Sequence, residues 1–156
     1  MKVKVITVGG DTKDLFKTLG ISYLERTYPL LSPKLIIVEE KKRKSKNGSQ
    51  NQAELLEGQA LLEASTGCFR IALDERGKEQ TSVEFTQSIQ KILERGQPIA
   101  FLIGGASGLS EEVRKESQAI WSLSRMTLPH RMAFCFLAEQ IYRAGEIWRN
   151  SPYHKI

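Results

Sequence analysis

Tyr153 and His154 put a phenol and an imidazole side by side near the end of the chain, and Arg143 lies a short way upstream. An imidazole titrates near neutral pH, so His154 is a candidate general base. The ring of Tyr153 can stack on a splayed-out RNA base. Arg143 can pair with a phosphate or an ionised base, or form a plain salt bridge with Glu139 one helical turn earlier. The competing expectation for the tail is a frayed terminus, the usual fate of chain ends.

Three segments are candidates to hold what such a tail would act on. In Ile103-Gly104-Gly105-Ala106-Ser107-Gly108 the glycines allow a ligand close to the main chain, with free N–H groups facing it. The loop is no P-loop, since no Gly-Lys-Ser/Thr follows, and Gly-Gly-x-x-Gly is not the dinucleotide fingerprint. In Leu123-Ser124-Arg125-Met126-Thr127-Leu128-Pro129-His130, Ser124 and Thr127 supply hydroxyls, while Leu123, Met126 and Leu128 supply apolar wall. That mixture suits a flat adenine ring held by backbone hydrogen bonds between aliphatic side chains. Pro129 is a good first helical residue, His130 would orient the loop, and Arg125 would guard the pocket or reach RNA. Leu73-Asp74-Glu75-Arg76-Gly77 is the third such segment, expected to turn out of a strand.

The elements that must position these segments alternate along all 156 residues. Strands are predicted at Val3–Val8, Leu35–Val38, Phe69–Leu73, Ile99–Ile103 and Ile120–Leu123. The helix after the first strand, with Asp11 as its cap, places Leu15, Leu19, Tyr23 and Leu24 at helical spacing. The next uses Leu55, Leu56, Ala60 and Leu62. A third runs from Ser82 to Arg95 with Gly96 as C-cap, a fourth from about Ser110 to Gln118, and a fifth from about Pro129 to Trp148. Phe134, Leu137, Ile141 and Trp148 form a stripe on the fifth, where Gly145 is a local weakness. Strand–helix alternation predicts an α/β fold with one parallel sheet covered on both faces, and a single domain over residues 1–156. Ligands of such sheets bind at the carboxyl ends of the strands, where the three segments lie.

The net charge of +5 is matched by one run, Lys41, Lys42, Arg43, Lys44 and Lys46. Such a block is either a solvated loop or an arm for an anionic partner such as nucleic acid. Cys68 and Cys135 stand far apart and are expected to be buried, reduced thiols. With His130 and His154 they give no metal-ligand spacing. No apolar run approaches a membrane span, and the opening Met1-Lys2-Val3-Lys4 does not look like a signal peptide, so the cytoplasm is the expected compartment.

Four ordered motifs then carry a resemblance. They are Ile103-Gly104-Gly105-x-x-Gly108-Leu109, Trp121-Ser122-Leu123-Ser124-x-Met126-Thr127-Leu128-Pro129-His130, Glu139-Gln140-x-Tyr142-Arg143-Ala144, and Tyr153-His154-Lys155. Together with Val8-Gly9 and Glu57-Gly58-Gln59, they resemble the bacterial 23S ribosomal RNA (large subunit) pseudouridine N3-methyltransferase family, of the trefoil-knotted SPOUT class. The resemblance spans the chain. It implies a C-terminal trefoil knot, an exception to the usual absence of threaded loops, and S-adenosylmethionine as methyl donor. Its cofactor contacts would be Leu73, Gly104, Leu123, Ser124, Arg125, Met126, Thr127 and Leu128. It also implies a homodimer whose active site is completed by the partner's tail, with His154, Tyr153 and Arg143 in catalysis, and the assembled ribosome as substrate. Gly145 departs from the family pattern, where a large aromatic commonly follows Tyr-Arg-Ala.

Two rival readings follow from the same residues. A non-catalytic RNA-binding module would keep the fold without the chemistry. A nicotinamide-dependent enzyme would use Glu39 or Glu40 on a ribose, but it lacks the fingerprint after the first strand.

Overall fold

The computed structural model describes residues 2–9, 13–41 and 50–155. Five parallel strands form one sheet in the order β2-β1-β4-β3-β5: β1 (Val3–Val8), β2 (Pro33–Val38), β3 (Phe69–Glu79), β4 (Ile99–Ile103) and β5 (Ala119–Ser122). β4 is buried at all positions and lies between β1 and β3, as its unbroken apolar run requires.

Helices cover both faces. On one face α1 (Leu15–Arg26), α3 (Ser82–Glu94) and α5 (His130–Trp148) enclose Val3, Val5, Ile71, Ile99, Phe101 and Ile103 of the sheet. Leu137 and Ile141 of α5 are fully buried there, each stabilising by about 1.5–3 kcal/mol relative to exposure. Phe85, Phe101 and Trp121 form a ring cluster with centroids 5.6–6.0 Å apart, tying α3 and the short β5 to β4. On the other face α2 (Gln50–Ala64) and the single-turn α4 (Glu111–Lys115) cover Ile6, Val8, Ala72, Ala100 and Leu102.

Local chemistry explains the ends of these helices. Thr81 and Glu84 form a reciprocal capping box on α3, and Gly96 follows its end at φ 75°. Asp14 caps α1 by accepting from the Lys17 N–H at 3.0 Å; Asp11, the expected cap, lies outside the described residues. Ser110 caps α4, which ends at Lys115, short of the expected Gln118. Pro129 proves to be the N-cap of α5, one position before the expected one.

Helical spacing alone does not decide which residues turn inward. Leu15 and Leu19 on α1 are 83% and 48% exposed; the face turned inward carries Gly20 and Leu24. Gly20 is small because Phe134 of α5 lies where its Cβ would be, at 2.5 Å. Leu55 and Leu56 are likewise exposed, and α2 packs through Glu57, Gly58 and Leu61. Both cysteines are free but only partly buried. Gly145 is a fit, because a Cβ there would stand 2.8 Å from that of Tyr28.

Residues 74–77 do not turn out of β3. The strand continues to Glu79 with an irregularity between Leu73 and Lys78, so that both Leu73 and Lys78 pair with Trp121. Gly77 permits this, because a side chain would collide with the Ile120 backbone at 2.7 Å.

Candidate active site

The strand order β4-β3-β5 sets three carboxyl ends side by side, and their loops enclose a cleft of about 860 Å³. Its walls come from residues 73–76, from 103–109 without Ser107, and from 123–130 without Arg125, with Arg114 and Ala133 completing them. The volume lies in the range of small-molecule and cofactor pockets.

The glycine loop is shaped chiefly by its own backbone. A Cβ on Gly104 would lie 2.5 Å from the Gly108 carbonyl carbon, and Gly108 adopts φ 78°. The Gly108 N–H donates to the Gly105 carbonyl at 2.9 Å, closing the turn. The close approach expected of a ligand is therefore already made here by the loop upon itself.

The second loop is held from inside and from β3. Ser124 accepts the Met126 N–H at 3.0 Å, and the Ser122 hydroxyl donates to the Ser124 carbonyl at 2.9 Å. Thr127 donates its hydroxyl to Glu75, joining this loop to the β3 end. Both predicted hydroxyls thus fix the shape of the wall. Met126 is 78% exposed at its rim. Arg125 faces away and pairs with Glu79 at 3.0 Å.

Asp74, Arg76 and Arg114 were not among the predicted contacts. Charged residues directly after a buried strand were the signal for the first two. Asp74 receives both arginines, Arg76 at 3.0 Å and Arg114 at 2.9 Å. The Arg76 hydrogen bonds, reinforced by Arg114 against a partly opposing burial, hold its carboxyl well below the usual range. His130 closes the other end of the cleft; burial, then Arg131, lowers its pKa and favours the neutral ring.

The three predicted catalytic residues meet one another elsewhere. Arg143 Nη2 donates to Glu139 Oε1 at 2.6 Å, and its Nη1 lies 3.0 Å from His154 Nδ1. Tyr153 donates its hydroxyl to Glu139 Oε1 at 3.0 Å, and the Arg143 guanidinium lies 4.8 Å from its ring centre. Burial, then Glu139, raises the Tyr153 pKa to about 12, so the phenol keeps its proton. The Tyr153 ring also meets Tyr142 edge-on at 4.9 Å. Within one chain it is packed against its own neighbours.

Glu146 anchors this tail, and sequence reasoning missed it. It is 3% exposed, pairs with Arg149, accepts the Ser151 hydroxyl, and its carbonyl accepts the Ser151 N–H at 2.9 Å. A carboxylate near a helix end gives little warning of such a role.

His130 opens α5 at the cleft, whereas Arg143 lies near its far end. At about 1.5 Å per residue the separation along the axis is roughly 20 Å. The structure therefore gathers the predicted cofactor loops into one cleft, except for Arg125. It gathers the predicted catalytic residues into a second cluster that does not line that cleft.

The family described as "Predicted SPOUT methyltransferase" matches residues 1–154. A protein of Anaeromyxobacter dehalogenans named ribosomal RNA large subunit methyltransferase H is 40% identical over 157 residues, covering 99% of this chain and all of the relative. A Ralstonia pickettii protein of the same name is 36% identical over 159 residues, covering both chains fully. Among solved structures, a probable methyltransferase from Bordetella pertussis superposes with a TM-score of 0.56 at 16% identity, covering 92% of this chain and 95% of the other. That last likeness is one of fold.

Proposed function

The chain belongs to the SPOUT methyltransferase family, and from that premise we propose that it methylates N3 of a pseudouridine in the 23S RNA of the large ribosomal subunit. The observation that carries the proposal is the convergence of the β3, β4 and β5 loops on one cleft.

S-adenosylmethionine fits that cleft by size and chemistry. Leu73, Leu123, Met126 and Leu128 supply aliphatic surface for an adenine, and the buried Gly104 and the main chain of 123–128 supply polar edges. Asp74, Glu75, Arg76 and Arg114 make the lining zwitterionic, as suits a ligand with a cationic sulfur and an amino-acid arm. When bound, the cofactor supplies an electrophilic methyl group. The loops orient it, so the rate gain rests on alignment. In this reading residues 1–156 form one domain, and its C-terminal part threads the cleft loops as a trefoil knot.

The tail cluster acts on the RNA side, with Arg143, Tyr153 and His154 facing the target base. None of the three lines the same chain's cleft, and Arg143 stands roughly 20 Å along α5 from His130; in this reading the cluster serves the cleft of a second copy. A homodimer also accounts for the apolar residues that one chain leaves uncovered. Leu15, Phe16 and Leu19 of α1, with Met132 and Phe136 of α5, are all exposed. The basic run opening at Lys41 supplies phosphate contacts; residues 42–46 lie outside those described. Among the described residues no helix is long and apolar enough to cross a membrane. In this reading the substrate is the assembled ribosome, met in the cytoplasm.

Transfer of labelled methyl groups to ribosomes lacking the modification tests this reading. Incorporation at one pseudouridine of the 23S RNA is expected. Cofactor binding with no incorporation into ribosomes or free RNA would favour the non-catalytic RNA-binding reading.

A further inference from the structure

We infer that His154 serves the reaction as a hydrogen-bond donor through Nε2–H, locked in that tautomer by Arg143, and not as the proton acceptor. The inference rests on the methyl-transfer reading above and assigns one of its groups a different task.

A guanidinium carries N–H donors and no acceptor. Arg143 Nη1 lies 3.0 Å from His154 Nδ1, so Nδ1 must present its lone pair to it. A neutral imidazole has one N–H and one lone pair, which leaves the proton on Nε2. Protonating Nδ1 as well would turn an N–H toward a guanidinium N–H and set two cations together.

Arg143 is not free to turn away. Its Nε and Nη2 both donate to Glu139, at 3.4 and 2.6 Å. Glu139 also accepts from the Tyr153 hydroxyl at 3.0 Å and from Gln140 Nε2 at 2.8 Å. Gln140 in turn accepts from the Ser82 hydroxyl of α3 at 2.7 Å. Hydrogen-bond polarity is thus set at every step from α3 to the tail. Glu139 acts as a positioning residue, and it raises the Arg143 pKa further, keeping the guanidinium charged.

A donor has a use in this chemistry. The imide nitrogen of the target base loses its proton to solvent water and forms the new bond to the methyl carbon. The electrons of the carbon–sulfur bond stay on sulfur. As the proton leaves, negative charge collects on the carbonyl oxygens flanking the nitrogen. An N–H aimed at one of them stabilises the transition state, as oxyanion-hole donors do.

Two measurements on the full-length protein decide the matter. Long-range ¹H–¹⁵N spectra report ring tautomers directly, and the chain holds only two histidines. His154 is expected to carry its proton on Nε2 in the wild type and to become a tautomer mixture in Arg143→Ala. A proton on Nδ1 in the wild type would overturn the assignment. In ribosome methylation, His154→Ala is expected to lose about 100- to 1,000-fold in turnover, the usual cost of one such donor. His154→Gln offers an amide acceptor to Arg143 and an amide donor beyond it, but no basic nitrogen. It is expected to recover at least tenfold over His154→Ala; equal loss in both variants would return the ring to the role of base. A wild type that transfers no methyl at all would sink the underlying reading, an outcome distinct from the tautomer, which needs no substrate.

Discussion

The Tyr153 hydroxyl donates a hydrogen bond to the Glu139 oxygen that also receives Arg143, so one carboxylate on α5 holds both the tail and the guanidinium beside it. Replacing Glu139 with Ala should therefore disorder two predicted catalytic groups at once. We expect turnover on ribosomes to fall about 10- to 100-fold while cofactor affinity, measured by calorimetry, is unchanged. A loss of cofactor affinity of the same size would place Glu139 at the cleft instead.

The cleft itself depends on Gly104. A methyl group there would meet the Gly108 backbone at 2.5 Å, and backbone cannot rotate aside as a side chain can. Gly104→Ala should lower unfolding free energy by about 1–3 kcal/mol, the typical cost of overpacking. Gly67→Ala meets nothing within 4 Å and bears only the strain of its φ of 77°, about 1–2 kcal/mol. Denaturant unfolding measures both; only Gly104→Ala should also weaken cofactor binding.

Acid should release the tail before it unfolds the sheet. Arg149, with help from the Ser151 hydroxyl, lowers the Glu146 pKa below its ordinary value of 4.5. A depressed carboxylate stabilises fully above its unfolded pKa, and that contribution fades as pH falls through the folded value. Protection of the amides of residues 150–155 against exchange, relative to the unfolded chain at the same pH, should hold from pH 6 to about pH 4.5 and then fall. In Glu146→Gln the protection should be low throughout, with no such acid transition.

Much of this was legible before the structure. β1, β4 and the capped α3 emerged at or near their true bounds because hydrophobic period, turn residues and tertiary packing agree there. The two loops that meet in the cleft were picked out because glycines and a polar–apolar mixture at strand ends are local signals. What failed was non-local. Leu15, Leu19, Leu55 and Leu56 obey helical spacing yet lie exposed, since the inward faces are chosen by small residues such as Gly20 and Gly58, which admit Phe134 and Ser110. Asp74, Arg114 and Glu146 matter through partners that spacing along the chain does not mark. Arg125 sits within the right motif but turns outward to Glu79.

The basic run should govern ribosome affinity through salt. Neutralising Lys42, Arg43, Lys44 and Lys46 to Gln removes four potential phosphate contacts. The slope of log affinity against log salt should become shallower by roughly 3. An unchanged slope, measured with ribosomes between low and physiological salt, would reduce the run to a solvated loop.

The central claim is that cleft and tail belong to different copies, and mixing two damaged proteins tests it. Leu128→Arg fills the cleft and leaves the tail intact, while His154→Ala leaves the cleft intact and damages the tail. Each alone should be nearly inactive. Co-refolded in equal amounts, half of the dimers pair the two variants, and each such dimer holds one intact composite site, so activity should return to about a quarter of wild type. Mixed dimers that form by native mass spectrometry yet remain as inactive as the separate variants would contradict the account.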